Sequence, residues 1–290
     1  MERYILKNQD SFNLVHIFEC GQCFRWDKQQ DNSYTGVIKN AVINVKKEDE
    51  QIVFTGKTID NDFEKTINEY FDLDTDYSDY KNKLSEIDEY LKESISFGEG
   101  IRILKQDLWE CIISFIISAN NNIPRIKKII DRLSLKYGEK IEFGGNVYYT
   151  FPTPESLSKA SVEDLRALGL GFRDKRIYNT TKMILEKQVD LENIKNMKST
   201  TEMRNELLKL DGVGPKVADC ILLFSLKRVD VFPIDVWVRR VMNDLYIHNE
   251  DEEKVNKKEL QKLAEEKFLG LSGIAQQYLF YWKRENGKSA

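Results

Sequence analysis

The hydrophobic pattern of this chain changes its period once, near Gly98 and Gly100, and that change restricts the fold more than any other feature of the sequence. Before it, "SYTGVIKNAVINVKK" reads as two strands around a short Lys39-Asn40 turn, and "QIVFTGK" as another strand after a charged loop. Two acidic segments, "FEKTINEYF" and "LSEIDEYLKESI", read as exposed helices, and "SFGEGIR" as a boundary. Beyond it the period is helical through "DLWECIISFIISANNNIPRIKKIIDRLSLKYG", "TPESLSKASVEDLRAL", "RDKRIYNTTKMILEK", "STTEMRNELLKL", "GPKVADCILLFSL", "DVWVRRVMNDL" and "KKELQKLAEEKFL". This pattern predicts an α+β protein, with a β-rich N-terminal domain over residues 1–99 packed on a larger all-helical domain over residues 100–290.

With 290 residues, 41% of them hydrophobic, the chain is long enough to bury two cores. It holds no apolar run of 18 residues, and "MERYILKNQD" lacks the layout of a secretory signal, so a cytoplasmic protein with no membrane partner is expected. Two histidines, His16 and His248, leave little material for a histidine-based metal cluster or triad. Of the four cysteines, Cys20 and Cys23 form a C-x-x-C pair, but Cys111 and Cys220 lie too far along the chain for a zinc or iron–sulfur spacing. "CGQC" sits in a strand-like stretch rather than at the head of a helix, which favours structural thiols over a redox pair.

A net charge of −4 argues weakly against nucleic acid as a partner, but the charge is unevenly spread. Ile59 to Gly98 holds twelve acids against four lysines, whereas "PRIKKIIDRLSLKYGEK" and "KRVDVFPIDVWVRR" are basic. A basic run alone is ordinarily a solvated helix face, so the specific signal must come from elsewhere.

It comes from "LDGVGPKVADC", Leu210 to Cys220, which joins two helical segments through a tight turn. Gly212 and Gly214 permit positive φ there and a close approach to the backbone, and Pro215 suits the first turn of the second helix. Bare N–H groups at such a helix start suit a phosphate oxygen, and thus a sequence-independent grip on a nucleic-acid backbone. Lys216 stands at the same positive helix end, where acidic residues are the usual choice. Burial beside that dipole is expected to depress its pKa and yield a neutral amine, the form of lysine that makes a Schiff base. Asp235 in "FPIDVWVRR" reads as an N-cap, a role that leaves room for a second one.

"LDGVGPKVADCILLF" with "VFPIDVWVRRV" resembles the helix-hairpin-helix-GPD superfamily of DNA glycosylases. The blocks "GQCFRW", "ECIISFIISANNNIPRI", "LGLGFRDKR" and "GIAQQYLFYW" are similar, in order, to those of its 8-oxoguanine DNA glycosylase/AP-lyase family, so the resemblance spans almost the whole chain. It implies a bifunctional enzyme of base excision repair that flips 8-oxoguanine from duplex DNA, opposite cytosine, and nicks the strand by β-elimination. The implied catalytic residues are Lys216 as nucleophile and Asp235 as the carboxylate facing positive charge at C1′. Gly21 would accept the N7–H that marks the oxidised base, Cys220 and Phe280 would sandwich the base, and Gln276 would meet its Watson–Crick edge.

On the other strand Asn120 would fill the gap, Arg125 and Arg173 would read the orphaned cytosine, and Phe172 would act as the wedge. Gly212, Gly214 and Val217 would contact phosphate through the backbone. The carbonyls of Leu208, Leu210 and Val213 would hold a structural monovalent or calcium ion; no other cofactor and no iron–sulfur cluster is implied. A monomer is expected, associated with the nucleoid if the host is bacterial. Two positions depart from the family pattern: Trp237, where eukaryotic members often carry histidine, and Asp211, where proline is frequent.

Three other readings fit parts of the sequence. A glycosylase for alkylated purines or oxidised pyrimidines would share the hairpin but not "CGQCFRW". A non-catalytic hairpin module would bind DNA without releasing a base and would not need Lys216 with Asp235. A Schiff-base enzyme for small carbonyl metabolites would not need the phosphate-gripping turn.

Overall fold

Alternating apolar residues in the first sixty positions give strands with one face to bury, and in the computed structural model, described over residues 1–7, 11–58 and 62–287, they pair into one antiparallel sheet. Its strands are β1 (Glu2–Lys7), β2 (Trp26–Lys28), β3 (Tyr34–Ile38), β4 (Ala41–Glu48) and β5 (Gln51–Thr58), in the order β1-β5-β4-β3-β2. Lys39 takes φ 51° in the turn that places Val37 opposite Val42 and Tyr34 opposite Val45. The buried face carries Trp26, Tyr34, Ile43, Val45 and Phe54, against which Phe18 of α1 (Leu14–Phe18) stacks on Trp26 at 4.3 Å.

Ile59, Asp60 and Asn61, at the head of the acidic stretch, lie outside the described residues, as do positions 288–290. The stretch continues as α2 (Phe63–Tyr70), α3 (Tyr77–Ser85) and α4 (Glu89–Phe97). "LSEIDEYLKESI" is therefore not one helix: the Asp88 side chain accepts from the Leu91 N–H and starts a new helix there. Nor are these helices merely exposed. Tyr77, Leu84, Leu91 and Ile95 are buried in the same apolar core as the later helices, while Phe63, Ile67 and Tyr70 belong to the core of the sheet.

The helical part comprises α5 (Leu108–Ser118), α6 (Ile123–Tyr137), α7 (Pro154–Leu157), α8 (Val162–Ala167), α9 (Asp174–Leu185), α10 (Leu191–Asn196), α11 (Thr200–Leu207), α12 (Pro215–Phe224), α13 (Val236–Met242), α14 (Lys257–Lys267) and α15 (Ser272–Asn286). Helix α5 is buried along nearly its whole length, and its largely apolar run marks it as the central helix of the core. The expectation of an all-helical second domain needs one correction. Lys140–Phe143 and Asn146–Tyr149 form a hairpin, β6 and β7, around Gly144 and Gly145, both at positive φ, and Ile141 packs with Val37 and Val42 of the sheet. Among the described residues no helix is long and apolar enough to cross a membrane.

Candidate active site

Lys216 stands in the first turn of α12, after the turn formed by Leu210 to Gly214. Gly212 takes φ 86° and packs tightly: a Cβ there would come 3.0 Å from Arg176 Cδ and 3.2 Å from Ile116 Cγ2. Gly214 differs from expectation. Its φ is −94°, it caps α12 through the backbone, and the space around its Cα is open. The absent side chain at 214 thus leaves room outside the turn rather than relieving strain within it. Val217 is buried one residue past Lys216.

Asp211 is held on both sides by α9, its carboxylate accepting from Asn179 Nδ2 at 2.7 Å and its carbonyl from Thr180 Oγ1 at 2.7 Å. A proline could not make this side-chain tie. Leu208 is partly exposed, while the Leu210 carbonyl accepts the Val213 N–H at 3.1 Å and retains one lone pair. Carbonyl oxygens of this kind suit an alkali or calcium ion. Among the described residues no cluster of three or more His, Cys, Asp or Glu side chains could hold a metal.

The Lys216 ammonium lies 5.5 Å above the ring of Phe115, which meets Phe24 edge-on at 5.6 Å and stacks on Phe224 at 5.5 Å. Phe115, on the buried helix α5, forms the floor beneath the amine. Cys220, one turn along α12, is a buried thiol on the same side as Lys216, and Asp235 acts on the ammonium through its charge.

The pKa of Lys216 corrects the expectation of a depressed value. Burial is the largest influence and favours the neutral amine, but Cys220 and Asp235 together outweigh it and leave the pKa above its ordinary value. Burial pushes the Cys220 thiol up to about 11, so it is uncharged at neutral pH, where the balance is between burial and Asp235. Asp235 caps α13, accepting the Val238 N–H at 2.8 Å, which fixes one oxygen and leaves the other free.

A second group of predicted residues meets at the end of α15. Gly21 is not in a strand but in an irregular turn after α1, at φ 89°, and a Cβ there would lie 3.7 Å from Phe280 Cε1 and 3.5 Å from Arg284 Nη1. Gln276, one turn before Phe280, is buried. The residue that sequence reasoning missed is Gln22, fully buried beside Gly21. Its amide donates to the carbonyls of Ile17 and Arg102 at 2.9 and 2.7 Å, its Oε1 accepts from Leu104 N at 2.8 Å, and its own carbonyl accepts from Gln106 Nε2 at 2.7 Å. These four bonds fix the peptide that follows Gly21, and so the direction of the Gly21 carbonyl. All four cysteines are buried free thiols.

The third group is exposed apart from Arg173. Asn120 takes φ 51° between α5 and α6, and Arg173, only 2% exposed, donates to the carbonyls of Ala119, Asn120 and Leu170. Arg173 is therefore committed to shaping the Asn120 turn, and a role in reading a base would require it to release carbonyls first. Arg125 is exposed, with one long bond of 3.3 Å to the Gly169 carbonyl. Phe172 is 56% exposed beneath the Arg173 guanidinium at 4.2 Å. Trp237 is equally exposed, with Arg240 over its ring at 5.6 Å.

A model of the N-terminal domain of 8-oxoguanine DNA glycosylase matches residues 4–112, and the model of the HhH-GPD superfamily of base excision DNA repair proteins matches residues 113–266. The apo 8-oxoguanine glycosylase/lyase of Clostridium acetobutylicum is 44% identical, with a TM-score of 0.91 over 97% of this chain and 96% of that one. Its complex with double-stranded DNA containing cytosine opposite 8-oxoG is 44% identical, with a TM-score of 0.92 over 99% and 98%. The N-glycosylase/DNA lyase of Saccharomyces cerevisiae is 32% identical over 261 residues, 81% of this chain and 68% of that one. This chain belongs to the 8-oxoguanine DNA glycosylase family, within the HhH-GPD superfamily of base excision repair proteins.

Proposed function

We propose that this protein excises 8-oxoguanine from duplex DNA, opposite cytosine, and then cleaves the strand at the abasic site, with Lys216 as nucleophile and Asp235 as the carboxylate that stabilises charge on the sugar. The observation that carries this reading is the convergence of an amine, a buried thiol and a carboxylate on one end of α12, beside a turn with open backbone.

Flipping costs a few kcal/mol, offset by the wedge at Phe172, by Asn120 in the vacated gap, and by phosphate held at Gly212, Gly214 and Val217. The base enters between Cys220 and Phe280, with Gln276 at its Watson–Crick edge and its N7–H donating to Gly21. Arg125 meets the orphaned cytosine. As the bond from C1′ to N9 lengthens, positive charge grows on the sugar and the free oxygen of Asp235 opposes it. The ammonium gives up a proton, which the departing purine takes at N9, and the freed electron pair of Lys216 forms the bond to C1′. Opening of the sugar ring turns this adduct into a Schiff base, and loss of a proton from C2′ with departure of the 3′ phosphate breaks the strand.

No cofactor enters these steps. The carbonyls of Leu208, Leu210 and Val213 would hold a monovalent or calcium ion that adds positive charge beside the gripped phosphate. The protein would act as a monomer in the compartment that holds the chromosome. Borohydride should trap a covalent adduct between the wild type and an 8-oxoguanine duplex; undiminished trapping with Lys216→Gln would reject the assignment of the nucleophile.

A further inference from the structure

Arg176 lies where two separate DNA-facing elements meet, and among the described residues its guanidinium has no hydrogen-bond or ion-pair partner. Its stem lies against Gly212, leaving no room for a Cβ at that glycine, and its guanidinium lies 5.4 Å from the ring centre of Phe172, on which Arg173 also stacks. Three and four residues further along α9, Asn179 and Thr180 bind Asp211, so one face of α9 joins the Phe172 turn to the hairpin turn. Among the described residues no carbonyl, carboxylate or hydroxyl accepts a hydrogen bond from Arg176. The nearby acids are taken: Asp211 by Asn179, and Asp174 by Arg166 at 2.7 Å. The half-buried guanidinium shares its surroundings with the charges of Arg125 and Arg173, which favours an anion arriving from outside.

We infer that Arg176 binds a backbone phosphate of the DNA and, through that bond, couples the grip of the hairpin to the position of the Phe172 wedge. A planar fork with free N–H groups matches two phosphate oxygens, and the same plane remains against the aromatic ring. Phosphate bound at the hairpin then fixes the ring that unstacks the base step. The inference rests on the reading that both turns face duplex DNA.

The test uses the full-length protein and a duplex carrying a tetrahydrofuran abasic analogue opposite cytosine, which cannot form a Schiff base, so binding is measured without chemistry. Arg176→Met keeps an apolar stem on Gly212 and removes the charge, whereas Arg176→Lys keeps the charge and removes the plane. Arg176→Met should weaken binding about tenfold, as for a charged hydrogen bond, and reduce the slope of log affinity against log salt by about 0.9. Arg176→Lys should keep the wild-type slope. A neighbouring 2-aminopurine should report less unstacking in both variants, because both lose the stack on Phe172. A slope unchanged in Arg176→Met, or reduced as much in Arg176→Lys, overturns the phosphate contact. Unaltered 2-aminopurine signals overturn the coupling. Wild-type binding with no salt dependence overturns this inference and the functional reading together, whereas steep wild-type dependence shared by Arg176→Met overturns this inference alone.

Discussion

Lys216 has to lose a proton before it can attack, and Asp235 opposes the burial that favours that loss. The neutral fraction of an amine rises tenfold per pH unit below its pKa, and the Lys216 pKa lies above the ordinary value. Single-turnover excision should therefore increase with a slope near +1 in log rate from pH 6 to pH 8; a plateau near neutrality would mean that a depressed pKa governs the step. Asp235 combines two roles that substitution can separate. Asparagine caps a helix as well as aspartate does, so Asp235→Asn should keep the melting temperature while slowing excision by about a hundredfold or more. Asp235→Ala should show the same loss of rate and cost a further ~1 kcal/mol of stability from the missing cap at Val238. Melting curves and excision rates of the two variants, taken together, test the division; equal excision by Asp235→Asn and the wild type contradicts the catalytic role.

At the scale of elements, the hairpin turn and α9 act as one unit. The sequence announces the turn through its glycines, but not that the two glycines do different work. Gly212→Ala places a Cβ at positive φ and against Arg176 and Ile116, and should cost about 1–3 kcal/mol of stability. Gly214→Ala meets nothing within the protein and keeps an ordinary backbone, so its melting temperature should match the wild type while its affinity for duplex DNA falls, since the new methyl group occupies the approach of phosphate. Thermal denaturation with a DNA titration separates the two; a large stability loss in Gly214→Ala would contradict the open geometry. The acidic helices show the opposite limit of sequence reading. Their charges suggested solvent on all sides, but Leu84, Leu91 and Ile95 follow a narrow apolar stripe that the large core covers.

At the scale of the whole molecule, the ion pair of Arg25 with Glu110 is, among the described residues, the most buried one. Arg25 precedes β2, reaches Glu110 on α5 at 3.4 Å and donates to the Tyr149 carbonyl of β7. Burial raises the Glu110 pKa to about 7, against the opposing pull of Arg25. A carboxyl whose folded pKa lies above its unfolded value of 4.5 is destabilising when ionised. That contribution is absent below about pH 4.5, grows as the pH rises and is complete above about pH 7. The melting temperature of Glu110→Gln should thus gain on that of the wild type from pH 5 to pH 7.5, whatever the offset between them. Parallel curves would show that Glu110 does not titrate in this range.

Sequence by itself determined the Lys39-Asn40 hairpin, the helix start at Asp235 and the family, because turn chemistry and capping are local and the motif blocks are linear. The tertiary structure alone decided the surroundings of Lys216, the anchoring role of Gln22, the commitment of Arg173 to its own turn and the floor formed by Phe115. Each of these depends on what a side chain meets from a distant part of the chain: burial and opposing charge set a pKa, and a guanidinium is free or spent according to which carbonyls the fold brings to it.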